Sequence, residues 1–100
     1  MARKVNTNRN GGNWSGSQKL AVWKKGKIIP GLDSDTWRND DCRKKMKWDD
    51  HGDRNSSYGW EIDHIDPVSN GGSDHIDNLQ PLHWENNADK ADKLYWTCPK

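Results

Sequence analysis

The chain has 100 residues and a mass of 11.5 kDa, room for one small domain. Only 30% of it is hydrophobic, with 13 Leu, Ile and Val, no Phe, seven Trp and a net charge of +1. This excludes a large aliphatic core, a multidomain enzyme and a membrane span, while seven aromatic side chains that each bury about 150–250 Å² point to a small tryptophan-pinned core.

The near-neutral total hides two opposite halves. Residues 1–47 carry 12 Lys/Arg against 4 Asp, and residues 48–100 carry 4 Lys/Arg against 11 Asp/Glu. A basic half suits a polyanion and a carboxylate-rich half suits a hard cation, although salt-bridged solubility explains the same counts. No apolar stretch follows the basic Met1-Ala2-Arg3-Lys4 start, so no secretory signal is expected and the address is read as cytoplasmic. Cys42 and Cys98 make neither a disulfide framework nor a CxxC pair. A single Cys42–Cys98 bridge stays open, but two free, partly buried thiols are the expectation.

In chain order, residues 1–18 are mostly Asn, Gly, Ser, Arg and Lys around Trp14, without a carboxylate. They read as a flexible basic arm, able to wrap a phosphate backbone or to be an end without a role. Residues 19–57 form a support region. Pro30-Gly31 marks a turn, and the i,i+4 pairs Trp37/Asp41 and Lys44/Trp48 hint at a short helix. Residues 58–96 are the core. Tyr58 to Ile65 has strand character and is ended by Asp66-Pro67. Asn70-Gly71-Gly72-Ser73 is a turn, and Ile76 to Leu79 fits a return strand. A helix is expected from about Leu82 to Leu94, with Trp84, Ala88, Ala91 and Tyr95 as its inward stripe. Residues 97–100 are a short end.

Asp63-His64 is the first pair with chemical content. Aspartate is a hard oxygen ligand, and an adjacent histidine titrates near neutrality and can take a proton from water. A surface Asp-His pair is commonly incidental, and strand geometry points neighbours to opposite faces, so the pair works only where the chain bends. Downstream, Asn78-Leu79, Asn87 and Lys90 follow at fixed spacings.

With those residues in view, the segment 61–90, EIDHIDPVSNGGSDHIDNLQPLHWENNADK, resembles the HNH endonuclease family, whose ββα-metal site is also called the His-Me finger. The resemblance rests on Asp63-His64, Ile65, Pro67, Gly71-Gly72, Asn78-Leu79, Leu82, Asn87 and Lys90. It implies an α+β fold with a small ββα-metal core, short N-terminal elements and the basic arm. It further implies that Asp63 and Asn87 hold a cation, that His64 is the general base, and that Asn78 holds the inter-strand loop that orients the histidine. Asn78 is also readable as a turn cap, and Asn87 as an exposed helical Asn. The implied reaction is metal-dependent hydrolysis of DNA, expected double-stranded, with Mg²⁺ or Mn²⁺.

Many members of that family carry a structural zinc on flanking CxxC-like pairs. Here the downstream positions are His83 and Asn86 and no upstream CxxC exists, which argues against zinc. His83 is readable as a capping residue or as a contact to metal or phosphate. Lys90, Lys93 and Arg54 are candidate phosphate contacts and equally candidate salt-bridge partners. No base-reading module is visible, so a protein partner is a candidate source of specificity. The rival readings are a non-catalytic nucleic-acid-binding module, an RNA-directed nuclease, and an assembly protein.

Overall fold

The computed structural model describes residues 3–100. Helix α1, Gly16–Trp23, starts within the segment expected as a flexible arm. Ser15 and Gln18 close a reciprocal capping box that satisfies its first free N–H groups. Residues 3–14 are anchored as well: the Asn6 side chain accepts from the Ile62 N–H at 2.8 Å, and the Arg9 N–H donates to Asp74 at 3.0 Å. Met1 and Ala2, the beginning of that arm, lie outside the described residues.

Three short strands follow, β1 (Lys27–Ile28), β2 (Trp37–Asn39) and β3 (Lys45–Lys47), in one antiparallel sheet. The short helix suggested by the Trp37 to Trp48 spacing is therefore replaced by a strand–turn–strand. Asp40 is the cause. Its carboxylate accepts the N–H groups of Cys42 and Lys44, both at 2.9 Å, and Arg43 takes a left-handed φ of 64°. This aspartate turn offers the backbone N–H groups a partner other than a helical carbonyl.

Strands β4 (Trp60–His64) and β5 (Leu79–His83) form an antiparallel pair, and helix α2 (Trp84–Lys90) follows β5 directly. Every residue of β4 is buried, because both of its faces are covered. Trp60 and Ile62 face a core of Val22, Trp23, Met46 and Leu79, against which Trp14 and Trp48 pack. The Trp23, Trp48 and Trp60 rings lie 5.0–5.9 Å apart, so three aromatics supply what the sparse aliphatic content lacks. The alternate residues Glu61 and Asp63 face α2.

Helix α2 is shorter than expected and buries a different face. It ends at Ala91, whose φ is 49°. Ala88, Ala91 and Tyr95 are exposed, whereas Asn86, Asn87 and Lys90 are buried. The apolar stripe misidentified the inner face because the inward polar groups are each satisfied: Asn86 by Asp40, Asn87 by Glu61, Lys90 by Asp63 and the His64 carbonyl.

Cys42 and Cys98 form a disulfide, which corrects the expectation of free thiols. The aspartate turn brings Cys42 beside the C-terminal segment, with a Cα–Cα distance of 5.5 Å. That lies within the reach of a disulfide, which distance along the sequence concealed. No described helix is long and apolar enough to cross a membrane.

Candidate active site at the end of the β4–β5 hairpin

The turn between β4 and β5 is built by Asn78. Its Oδ1 accepts the Asp66 N–H at 2.8 Å, and its Nδ2 donates to the carbonyls of Asp66 and Ser73 at 3.1 and 2.8 Å. Gly72 lies so close to the Asp66 carbonyl that a Cβ would stand 1.7 Å from that oxygen, so no other residue fits. Pro67 leaves its own carbonyl to accept from Asn70 and Gly72. The loop is closed on itself by these bonds, and the end of β4 is thereby fixed.

At that end, Asp63, His64 and Asn87 line one cleft of about 90 Å³, together with Arg3, Lys4, Val5, Ile62, Pro67, Ala91 and Asp92. The three side chains expected to act together are thus brought to a common opening. His64 Nε2 lies 2.7 Å from Asp74 Oδ1, and its ring lies 5.5 Å from that of Trp14. Trp14 has a buried indole N–H without a partner, so packing holds this contact. Asp63 accepts from Gln80 Nε2 at 2.9 Å and lies 3.3 Å from Lys90 Nζ. Burial pushes the Asp63 carboxyl above the ordinary aspartate range, against the opposing pull of Gln80, Lys90 and His64.

Asn87 Nδ2 donates to Glu61 Oε1 at 2.9 Å, and Glu61 in turn accepts two bonds from Arg54, each 2.8 Å. The donor end of the Asn87 amide is thus engaged, which leaves its oxygen as the atom that could hold a ligand. The Arg54 guanidinium is held above its ordinary range by that same bond to Glu61.

The phosphate-contact candidates therefore separate. Lys90 is buried with its ammonium between Asp63 and the His64 carbonyl. Arg54 is committed to Glu61, and Lys93 is exposed, with its Nζ 3.2 Å from the Asp89 carbonyl. His83 acts as the cap of α2: its Nδ1 accepts the Glu85 N–H and its Nε2 lies 2.8 Å from the Ser57 carbonyl.

The sequence reading missed Asp74, Glu61 and Gln80. Two signals were available, since Gln80 stands opposite Asp63 in the strand register and Glu61 shares its face. Among the described residues no group of three His, Cys, Asp or Glu is placed to hold a metal ion. Any cation here would rest on Asp63 and an amide oxygen. Both are hard oxygen donors, and so few protein ligands suit a cation that keeps water and substrate oxygens around it.

The positions His83 and Asn86, where relatives were expected to carry zinc cysteines, are joined instead by Asp40. Its Oδ2 accepts the His83 N–H at 3.0 Å and Asn86 Nδ2 at 2.9 Å.

A family model described as HNH endonuclease matches residues 40–93, more than half of the chain. No curated protein and no solved structure matches it significantly. The matched span runs from the aspartate turn through β4, β5 and α2, and contains every residue of the cleft except those of the N-terminal arm.

Proposed function

Because the chain belongs to the HNH endonuclease family, we propose that it hydrolyses phosphodiester bonds of double-stranded DNA, with His64 as general base. The observation that carries this reading is the convergence of Asp63, His64 and Asn87 on one cleft. Asp63 and Asn87 would hold Mg²⁺ or Mn²⁺, and such a cation, when bound, neutralises charge on the phosphate and the leaving oxygen.

The chain's own residues supply the rest. Asp74 engages His64 Nε2, which fixes the proton there and leaves Nδ1 as the acceptor that takes a proton from water. Asn78 keeps the loop rigid and so keeps His64 in place. Arg54 and Glu61 orient the Asn87 amide. Lys90 compensates the buried Asp63 charge while the site is without a cation, and Lys93 is the remaining candidate for phosphate contact. Sequence specificity, in the absence of a base-reading module, would come from a protein partner.

A second reading, a nucleic-acid-binding module that does not cut, draws on one observation: both Asp63 oxygens already have partners, Lys90 and Gln80. One assay separates the two. Plasmid, linear duplex, single-stranded DNA and RNA are incubated with the protein in Mg²⁺, Mn²⁺ or EDTA. His64→Ala should lower the cleavage rate by about 10²–10⁴-fold and leave DNA binding intact. An unchanged rate in that variant overturns the assignment, cleavage confined to RNA moves the substrate, and binding without cleavage by the wild type selects the second reading.

A further inference from the structure

The three-stranded sheet has a face that no part of the cleft uses. Its register places Lys27 opposite Asn39, Asn39 opposite Lys45, and Trp37 opposite Lys47. Directly paired residues share a face, so Lys27, Trp37, Asn39, Lys45 and Lys47 stand together on one side. The other side carries Met46, which is buried in the core, and Arg38, whose guanidinium caps the carbonyls of Lys24 and Gly26.

On the lysine side the ammonium groups of Lys45 and Lys47 are held by aromatics. Lys45 Nζ lies 4.9 Å from the Trp37 ring centre and 5.8 Å from that of Tyr58, and Lys47 Nζ lies 5.6 Å from Trp37. Tyr58 meets Trp37 edge-on at 5.0 Å. Among the described residues Lys45 and Lys47 enter no ion pair, and Lys27 has one exposed contact, to Asp41 at 3.7 Å. Aromatic rings position the Lys45 and Lys47 ammonium groups without neutralising them. Charge is thus concentrated and preordered on a face free of strand carboxylates.

We propose that this face is a second nucleic-acid contact, which grips the backbone phosphates of duplex DNA through Lys27, Lys45 and Lys47. One detail selects a duplex over a single strand. The Trp37 ring already carries lysines over it, so it is not an open platform for unstacked bases. Lys45 and Lys47, two residues apart on a strand, are separated by about 6.6 Å along it, which suits successive phosphates and carries no sequence information. The proposal rests on DNA being the substrate, but not on the chemistry in the cleft.

The test uses His64→Ala protein in EDTA and a fluorescent 30-base-pair duplex, with affinity followed by anisotropy over a range of NaCl. Replacing Lys27, Lys45 and Lys47 together with Gln should weaken binding at least about tenfold and reduce the salt slope by about 2–3, roughly 0.9 for each phosphate released. Arginine at the same three positions should restore the slope. An unchanged slope in a triple variant that keeps its circular dichroism and melting temperature overturns the proposal. So does a wild-type-like chain that fails to bind duplex, or one that binds a single strand tenfold more tightly through these lysines. Plasmid cleavage by a chain that keeps His64 and carries the three lysine substitutions separates the two readings: lysine-dependent binding without any wild-type cleavage sinks the nuclease assignment alone, and normal cleavage with an unaltered slope sinks this surface alone.

Discussion

The two sheets of this chain use charge in opposite ways. In the β1–β3 sheet Lys45 and Lys47 stand on an outer face and are held by aromatic rings. In the β4–β5 pair, Glu61, Asp63 and His64 are buried, and each has a named partner: Arg54 and Asn87, Lys90 and Gln80, and Asp74. An exposed charge needs only water, whereas a buried one must be matched atom by atom or it unfolds the chain. The difference teaches why the candidate catalytic side chains of the cleft come from the acidic half, while the basic half lends it only Arg3, Lys4 and Val5. Reactivity needs groups fixed in place and partly stripped of water, and only the hairpin offers both.

Asp40 joins these two regions, and its removal is the harshest way to break the comparison. One buried carboxylate accepts from Cys42 and Lys44 in the first sheet and from His83 and Asn86 at the start of α2. Asp40→Ala strands all four donors and is expected to cost about 3–5 kcal/mol, measured by urea unfolding. If the two regions were independent units, a smaller loss or a two-step transition would be seen instead.

Asp74→Asn sharpens the comparison within the hairpin, because it keeps the shape of the side chain and removes its charge. The asparagine can still reach His64 Nε2, but no longer stabilises a protonated ring. The expected result is a fall in kcat of about 10–100-fold with little change in KM. A matched fall in melting temperature, with kcat intact, would make Asp74 a loop anchor through the Arg9 N–H and nothing more.

The legible part of this protein is the part whose partners are near in sequence. Asp63-His64, the Asn78 turn and Asn87 were recognisable because their spacing is set by one hairpin and one helix. Asp40 meets its partners 43 and 46 residues away, Arg9 meets Asp74 after 65, and the disulfide spans 56. No local pattern encodes such meetings. Helix α2 failed for a related reason: hydrophobic periodicity assumes that polar residues face water, and Asn86, Asn87 and Lys90 face partners supplied by the aspartate turn and by β4. Trp37 to Trp48 failed because a single aspartate redirected its backbone.

The smallest expected effect is a dependence on pH, and it isolates the contact between the arm and the hairpin. His51 lies against the Trp60 ring at 4.6 Å, and its Nε2 is 3.1 Å from Asn6 Oδ1, the same oxygen that accepts from Ile62. Burial, with the nearby charge of Lys19, lowers its pKa from 6.5 to about 4, while Glu61 pulls weakly the other way. Between those values the unfolded chain binds a proton that the folded chain does not. The His51 contribution is therefore complete above pH 6.5 and declines as pH falls through 6.5 toward about 4. The full shift corresponds to about 3 kcal/mol, and the partial exposure of the ring reduces the expected change to about 1–2 kcal/mol. His51→Gln keeps a donor near Asn6 and cannot titrate, so its melting temperature should decline less than that of the wild type across this window. The contribution of buried Asp63 is common to both proteins and cancels in the difference. Parallel curves for the two proteins would show that the arm is held by Trp14, Arg9 and the Asn6–Ile62 bond, with His51 a neighbour of no consequence.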